Sequence, residues 1–545
     1  MNDLALNLLL LVILIFAKLA LAEGKNMGSS NTRVDNEVQI DSGKIRGVGT
    51  GDVISFKGIP YAAPPVGDLR WRMPQPVQPW SDVLVADEFG PASMQTEDVP
   101  KSEDCLTLNV WRPAETCDQP LPVMVWIHGG AMVCGSAALY PLDGLASQGV
   151  VAVSMNFRLG RLGHFAHPAL AAESPNDVRG NYGYMDQRAA LQWVQRNIAV
   201  FGGDPNRVTI FGESSGGGSV IAHLTSPLSR DLFQQGIVQS AGSPSARAKA
   251  VVPSTDLADA ERMAVEWASS LGITGEGADA LRALRSLPVE TIIEGVSAYE
   301  TLAALSAGAP PAGMAMSIID GQFLVDSPEA VLANRQQAMV PTIVGATDRD
   351  LAMGIANSKE ELFAQFGPDA DQARQLYDPR GYQTLEELKQ QVFADKLLVE
   401  PARHFANEMA RAGQPVWSYR YAYVFEGLRN LQTAETIEQS LGLGSKHTLE
   451  IPFTNNATEM LEAGFMGSPK IKVTPTDRMM ADLTSGYWVQ FAKTGNPNGE
   501  GRPTWPQHDP AADRIMHFTN SGVIVGTDPL KQRLDLWEAV WERNR

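Results

Sequence analysis

From residue 122 onwards, short apolar runs alternate along the chain with longer amphipathic stretches. The runs are rich in β-branched or aromatic residues, and most of them are apolar without alternation. That pattern is typical of strands buried on both faces of a mostly parallel sheet. Six strands are predicted in this way: Pro122–Ile127, Gly149–Met155, Arg207–Phe211, Gly236–Gln239, Val340–Gly345 and Val416–Phe425.

Helical patterns fill the intervals between these strands. Apolar residues recur at three-to-four spacing in Met185–Phe201, and Gly202–Pro205 follows as a helix stop. Residues 255–310 and 357–412 are rich in Ala, Glu and Leu, and we predict that they are helical insertions. We expect the insertions at 255–310 and 350–440 to form the pocket walls. The alternation of strands and helices predicts an α/β layer fold, in which ligands sit beyond the carboxyl ends of the strands.

The region before residue 122 has a different pattern. Val38–Arg46 alternates apolar and polar residues around a turn sequence, which predicts an antiparallel hairpin. Ile59–Trp80 is rich in Pro and Arg and has no helical period, so it is predicted to be an irregular surface segment.

The first residues have the pattern of an export signal. Leu4–Phe16 is an apolar run too short to span a bilayer, and Ala20-Leu21-Ala22 resembles a cleavage site before Glu23. No Lys or Arg precedes the run, which is atypical, and an uncleaved anchor is the alternative. We therefore predict that residues 1–22 are a signal peptide, and that residues 23–545 form one large domain without a stable membrane span.

Composition and charge narrow the class of protein. With 44 Lys and Arg against 62 Asp and Glu, the formal charge is −18, which leaves no basic footprint for nucleic acid. The three cysteines, Cys105, Cys117 and Cys134, form neither a disulfide scaffold nor a CxxC zinc signature. Few cysteines and a single glycosylation sequon at Asn456 fit a bacterial periplasm or culture medium, so we expect a secreted or periplasmic protein.

Candidate chemistry begins directly after the strand Arg207–Phe211. Gly212-Glu213-Ser214-Ser215-Gly216 is a Gly-x-Ser-x-Gly motif between a strand and a predicted helix. This context is typical of a nucleophile elbow, in which glycines allow a sharp turn and the serine hydroxyl stands at its tip. Ser214 is therefore the predicted nucleophile.

A second glycine-rich loop follows the strand Pro122–Ile127. His128-Gly129-Gly130-Ala131-Met132 is an HGG-type loop, which supplies backbone N–H groups to an oxyanion hole. The N–H of Ser215 is predicted to complete the hole. We expect the side chain of Ser215 only to pack.

These motifs resemble those of the type-B carboxylesterases, the α/β-hydrolase family that includes cholinesterases, fungal lipases and bacterial para-nitrobenzyl esterases. The similarity covers nearly all of residues 23–545. Its further markers, in chain order, are Phe56–Ala62, Pro64–Gly67, Ser102–Leu106, Asn181–Gln187, Phe201–Asn206 and Phe491–Pro497.

The resemblance implies the α/β-hydrolase fold, with oxyanion donors at Gly130, Ala131 and Ser215. Relatives usually have alanine at the position of Ser215, and many have a third glycine at the position of Ala131. Loops of this type are associated in the family with room for bulky alcohol esters.

The acid and the base of a serine triad follow the nucleophile in this fold. His404 and His447 lie far enough downstream, and Lys446–Phe453 resembles the family's run around its base, which favours His447. The family pattern places the acid at Asp350. Leu351 replaces the next glycine and could move the loop, so Asp348 or another carboxylate remains an alternative.

The resemblance also implies structural features. Arg70 and Glu103 match a buried ion pair of the family. Cys105 matches a half-cystine whose usual partner position is Ser93 here, so the usual disulfide is expected to be missing, and a Cys105–Cys117 link remains an alternative. The segment Gln95–Lys101 is too short for the aromatic loop of cholinesterases or the lid of fungal lipases.

The sequence thus predicts a serine hydrolase of small-molecule carboxylic esters that works through an acyl-enzyme, with no metal or organic cofactor. The alternatives are a lipase, a carbamate or amide hydrolase with the same triad, and a non-catalytic binding protein on the same fold. The sequence does not predict the oligomeric state.

Overall fold

A mixed β-sheet forms the centre of the molecule. The computed structural model describes residues 36–115, 119–241, 254–306, 310–352, 354–430, 444–465 and 470–543, so the predicted signal peptide and Cys117 lie outside the described residues. The strands are β1 Asn36–Ile40, β2 Gly43–Thr50, β3 Val53–Pro60, β4 Val83–Val85, β5 Ala92–Ser93, β6 Lys101–Ser102, β7 Thr107–Pro113, β8 Leu121–Ile127, β9 Val151–Met155, β10 Gly203–Glu213, β11 Gln235–Gln239, β12 Ser254–Asp256, β13 Ser317–Ile319, β14 Thr342–Thr347, β15 Val416–Tyr421, β16 Arg514–Thr519 and β17 Gly522–Thr527.

The strand order is β1-β2-β3-β7-β9-β8-β10-β11-β14-β15-β16-β17, and β4 pairs with β2. Neighbouring strands from β9 to β16 are parallel, whereas both ends of the sheet are antiparallel. All six predicted strands are confirmed and lie in this parallel part. The predicted hairpin is confirmed as β1 and β2, which are paired from Asn36 with Gly47 to Ile40 with Gly43.

The central strands β8 and β9 are apolar at nearly every position because both faces of the sheet are covered. In β8, Val123, Val125 and Ile127 belong to the hydrophobic cluster on one face. Met124 and Trp126 belong to the cluster on the other face. Alternate side chains of a strand point to opposite faces, so a strand covered on both faces tends to be apolar at successive positions and not only at alternate ones.

Helices cover both faces and form the insertions. The helices are α1 Asp143–Ala146, α2 Gly160–Gly163, α3 Pro168–Glu173, α4 Tyr182–Asn197, α5 Ser215–Thr225, α6 Leu257–Ser270, α7 Ala278–Arg285, α8 Val289–Ile293, α9 Ala298–Ser306, α10 Pro328–Ala333, α11 Lys359–Ala364, α12 Ala370–Tyr377, α13 Leu385–Ala394, α14 Glu400–Arg411, α15 Glu426–Asn430, α16 Ile451–Thr454, α17 Glu459–Ala463, α18 Pro475–Thr494 and α19 Lys531–Arg543. A π-helical turn, Asp395–Val399, joins α13 to α14. Among the described residues, no helix is long and apolar enough to cross a membrane.

Both predicted helical insertions are confirmed, as α6 to α9 and as α11 to α14. The predicted ion pair is also confirmed: the Arg70 and Glu103 side chains approach to 2.6 Å, and two carbonyl groups, of Arg285 and Leu287, accept from the same guanidinium. Arg70 therefore connects the irregular segment before β4 to the first helical insertion, residues 255–310, by hydrogen bonds.

Candidate active site

The turn between β10 and α5 holds Ser214 in a strained conformation. Its φ of 58° and ψ of −127° lie in a region that non-glycine residues rarely adopt. The turn is also crowded, because a Cβ atom on Gly216 would lie 2.1 Å from the carbonyl oxygen of Ile127. The glycines of the motif therefore let the elbow pack directly against the end of β8, at the carboxyl edge of the sheet.

Ser214, His447 and Asp350 form one chain of hydrogen bonds. Nε2 of His447 lies 2.9 Å from Oγ of Ser214, and Nδ1 of His447 lies 2.5 Å from Oδ1 of Asp350. The Asp350 side chain is fully buried, whereas that of His447 is 16% exposed. The structure thus brings together the three side chains that the sequence predicted as nucleophile, base and acid.

Two backbone N–H groups fix the carboxylate of Asp350. Thr347 donates to Oδ2 at 3.1 Å, and Leu351 donates to Oδ1 at 2.8 Å. Leu351, which the sequence analysis treated as a residue that could move the loop, therefore helps to hold the acid through its backbone. A carboxylate held in this way keeps the imidazole ring in one tautomer and one orientation.

Asp348 lies on the same loop but does not contact His447. Its Oδ1 accepts a hydrogen bond from the N–H of Ser445 at 2.7 Å, and the N–H of Arg349 donates to the carbonyl of Ser445. Burial raises the pKa of Asp348 to about 6. Asp348 thus joins the loop that carries the acid to the segment that carries His447, and the structure brings Asp350, not Asp348, to the imidazole.

The loop after β8 faces the elbow. Its residues Gly130, Ala131 and Met132 all have positive φ angles, of 112°, 53° and 62°. Among the described residues, the N–H groups of Gly130, Ala131 and Ser215 have no hydrogen-bond acceptor. Ala131 and Ser215 are buried and Gly130 is half-buried. Buried N–H groups are nearly always paired, so unpaired N–H groups at these positions agree with the predicted oxyanion hole.

One further carboxyl group lies beside the imidazole of His447 and another lies near it. Neither was assigned a role from the sequence. Oε1 of Glu213 lies 3.3 Å from Nδ1 of His447, and Oε1 of Glu450 accepts from the Ser240 hydroxyl at 2.7 Å. Both glutamates are buried. The only sequence features that pointed to these two groups were the position of Glu213 directly before Ser214 and that of Glu450 three residues after His447.

Burial and mutual repulsion determine how these acids ionise. Burial, with the charges of Glu450 and Asp350, raises the pKa of Glu213 well above its usual range, although His447 opposes this. Burial and the charge of Asp350 raise the pKa of Glu450 to about 7. Burial alone would lower the pKa of His447, but Glu213 and Asp350 outweigh it and raise that pKa above the ordinary histidine value.

Replacing Glu213 with glutamine is expected to shift the pH profile of hydrolysis. A general base must be neutral, so with His447 in its predicted role kcat/KM should rise with pH through the pKa of His447. The charge of imidazolium favours the ionised form of Glu213 against its burial, and glutamine removes that negative charge while keeping the size of the side chain. Imidazolium should then lose its proton more easily, so the rising limb should move to lower pH by about one unit. The measurement is kcat/KM of a soluble ester across the acidic and alkaline limbs of the profile.

The matched control for this change is Glu450→Gln, because Glu450 has no direct contact with the imidazole. It should shift the limb in the same direction by a smaller amount. An unchanged or upward-shifted limb in Glu213→Gln would contradict an ionised Glu213 beside His447.

The remaining candidates lie away from this centre or outside the described residues. His404 is buried in α14 and is not part of the hydrogen-bonded chain. Cys105 and Cys134 are buried free thiols, and Ser93 stands at the position where the resemblance led us to expect no disulfide partner. The alternative pairing of Cys105 with Cys117 is not supported, since Cys105 is a free cysteine.

The mostly parallel sheet, the strained serine after β10 and the glycine loop after β8 define an α/β-hydrolase. Residues 34–537 match the model of the Carboxylesterase family, and the chain belongs to that family. It is a carboxylic-ester hydrolase.

Named relatives match along most of their length. Fumonisin B1 esterase of Sphingopyxis macrogoltabida is 34% identical over 510 residues, which cover 90% of this chain and 88% of the relative. Human (Homo sapiens) cocaine esterase is 33% identical, with coverage of 91% and 88%. Para-nitrobenzyl esterase of Bacillus subtilis is 32% identical, with coverage of 90% and 96%.

Solved structures agree with the sequence comparison. A structure of PNB esterase superposes with a TM-score of 0.76 at 31% identity and covers 92% of this chain and 99% of its own. The resemblance to the type-B carboxylesterases is therefore confirmed, and so is the predicted fold.

Proposed function

We propose that this chain hydrolyses carboxylic esters through an acyl-enzyme formed on Ser214, with His447 as general base and acid and Asp350 as the residue that orients His447. One observation carries the proposal: the hydrogen-bonded chain from Ser214 Oγ through His447 to Asp350, with distances of 2.9 and 2.5 Å. Such a chain activates a hydroxyl that is otherwise a poor nucleophile at neutral pH.

In the first half-reaction, the Ser214 hydroxyl attacks the acyl carbon while Nε2 of His447 takes its proton. The carbonyl oxygen becomes an oxyanion and accepts hydrogen bonds from the N–H groups of Gly130, Ala131 and Ser215. His447 then gives the proton to the alcohol oxygen, the C–O bond breaks, and the alcohol leaves.

In the second half-reaction, water takes the place of the alcohol. His447 removes a proton from the water, the hydroxide attacks the acyl carbon, and the same three N–H groups stabilise the oxyanion. The proton returns to Ser214 Oγ as the acid is released. Asp350 orients His447 and stabilises the imidazolium that forms in each half-reaction.

The substrates we propose are small or bulky soluble esters. Relatives named for para-nitrobenzyl, cocaine and fumonisin B1 esterase activity support an enzyme that accepts large alcohol groups. The formal charge of −18 opposes strongly anionic substrates at long range. Alanine at position 131 is compatible with bulky alcohols in this family.

The test is a series of initial rates on nitrophenyl esters of increasing acyl length, followed by acetates of primary and tertiary alcohols. We expect short acyl chains to react fastest and the tertiary acetate to be hydrolysed. A rate that rises with chain length towards insoluble triacylglycerols would replace this proposal with a lipase. Turnover of carbamates in preference to esters would replace it with a carbamate hydrolase.

We also propose that the enzyme is exported from a bacterial cell after cleavage between Ala22 and Glu23. The apolar run Leu4–Phe16 and the small residues that follow it support this proposal. N-terminal sequencing of the protein recovered from its host should begin at Glu23. An intact Met1 on protein that stays with the membranes would contradict it.

A further inference from the structure

The hydroxyl group of Ser215 joins the elbow to the loop after β8. Its Oγ accepts a hydrogen bond from the backbone N–H of Met132 at 3.2 Å. Both residues are buried, with exposed fractions of 2% for Ser215 and 1% for Met132. The side chain expected only to pack therefore makes a directed contact with the loop that carries the oxyanion donors.

That loop adopts a conformation that its own residues disfavour. Ala131 and Met132 are consecutive non-glycine residues with positive φ angles of 53° and 62°. In such a residue the Cβ atom lies close to the backbone carbonyl oxygen, so this conformation is less stable than the right-handed one. Contacts outside the two residues must therefore hold them in place.

The other hydrogen bonds of the loop leave the N–H group of Met132 without a backbone acceptor. The N–H groups of Val133 and Cys134 both donate to the carbonyl of Gly130 at 3.0 Å, and the N–H of Gly160 donates to the carbonyl of Met132 at 2.8 Å. The Met132 N–H points towards the elbow, and Ser215 is its acceptor. This hydrogen bond is the direct link between the strained pair and the residue that supplies the third oxyanion donor.

We propose that the Ser215 hydroxyl is a positioning group that holds the strained oxyanion loop against the elbow, so that the N–H of Ala131 points at the oxyanion. The proposal rests on the proposed esterase function, because it assigns Ala131 a donor role in that reaction. Serine at position 215 and alanine at position 131 act as a pair: a loop without glycine at position 131 needs a bond that a loop with glycine does not.

Loss of the hydrogen bond between Ser215 and Met132 should weaken stabilisation of the transition state and leave substrate binding unchanged. A ground-state ester carbonyl carries little charge, whereas the oxyanion requires all three donors in place before the reaction begins. A loop that relaxes away from the elbow should therefore lower kcat and weaken transition-state analogues, with KM nearly unchanged.

Four variants test this: Ser215→Ala, Ala131→Gly, the double variant, and Thr225→Val as the control. Ser215→Ala removes one hydroxyl and keeps the backbone N–H of residue 215. Thr225 lies at the other end of α5, where its buried hydroxyl bonds only within the helix, at 2.9 Å to Ile221. The readouts are kcat and KM on a nitrophenyl ester, the inhibition constant of a trifluoromethyl ketone, and amide hydrogen exchange of a peptide covering residues 128–135.

For Ser215→Ala we expect kcat to fall about fivefold, because that factor corresponds to the usual net contribution of one hydrogen bond. The inhibition constant should rise by about the same factor, and KM should stay within about twofold of wild type. Exchange of the loop amides should become faster. In the Ala131→Gly background the same removal should lower kcat by less than about twofold, because glycine adopts positive φ without a steric penalty. Thr225→Val should leave all four readouts unchanged.

Three results would overturn the proposal. They are unchanged loop exchange in Ser215→Ala, faster exchange with unchanged kcat and inhibition constant, and an equal loss of kcat with and without the Ala131→Gly change. Hydrogen exchange needs no turnover, so it decides whether the hydroxyl holds the loop even if the wild-type protein hydrolyses no ester. In that case the proposed function fails and the loop contact is judged separately.

Discussion

Replacing Ser214 with alanine is expected to lower kcat for ester hydrolysis about 10⁵- to 10⁶-fold, which is the usual loss when a serine nucleophile is removed. In the proposed mechanism, the change deletes the oxygen that the imidazole of His447 activates for attack on the acyl carbon. The proposed oxyanion donors are backbone groups and remain, so the residual rate should reflect water attacking a bound and polarised ester.

The measurement is kcat on a nitrophenyl ester, with the enzyme purified separately from the wild type to exclude carry-over. The melting temperature should change little, because alanine is as strained at φ 58° as serine and the change removes only the hydrogen bond to His447. A residual kcat within about a hundredfold of wild type would mean that another group performs the attack.

Replacing Asp350 with asparagine is expected to lower kcat about ten-thousand-fold, with the fold intact. The amide has one acceptor oxygen, whereas the carboxylate of Asp350 accepts from Thr347, Leu351 and His447 together. Asparagine would either present its NH₂ group to the imidazole or leave a backbone N–H unpaired. In the first case His447 loses the acceptor that fixes its tautomer, and in both cases it loses the negative charge that stabilises imidazolium.

Asp348→Asn is the matched control, two positions away on the same loop. Asparagine can still accept from the N–H of Ser445, so kcat should stay within about threefold of wild type, in line with one neutral hydrogen bond. If Asp348→Asn were the inactive variant and Asp350→Asn the active one, the acid would be Asp348. Comparable kcat values for the two variants on the same ester would contradict both assignments.

The parallel core of the fold could be predicted from the sequence because burial on both faces of a strand favours a continuous run of apolar residues. Strands such as β8 and β9 are apolar at nearly every position, so their existence and order follow from the chain alone. The antiparallel strands β3, β7 and β17 were not predicted, and neither was β16, which is parallel to β15 and antiparallel to β17. Strand β7, for example, mixes Asn109 and Arg112 with apolar residues, and β17 is only partly buried.

The site was predictable where a motif fixes a backbone shape and unpredictable where a loop fixes a side chain. Ser214 and the glycine loop follow from strand-to-turn sequences. The choice between Asp348 and Asp350 depends on which carboxylate meets the N–H groups of Thr347 and Leu351, and two acids on one short loop carry no information about that.

Long-range contacts explain the residues that the sequence analysis missed. Glu213 and His447 are far apart along the chain, and their proximity depends on how the segment after residue 444 returns to the elbow. Ser215 and Met132 are 83 positions apart, and their hydrogen bond requires the left-handed loop conformation. Neither feature has a local pattern, so only the folded chain reveals it.

Peptide mass mapping of the protein quenched during turnover of a nitrophenyl acetate tests most directly whether Ser214 forms an acyl-enzyme. Rapid mixing should give a burst of one nitrophenol per enzyme, and acid quenching should trap one acetyl group on the peptide that contains Ser214. The burst and the added mass should both be absent in Ser214→Ala. An acetyl group on another residue, or turnover in which no covalent intermediate forms on the wild type, would contradict the proposed mechanism.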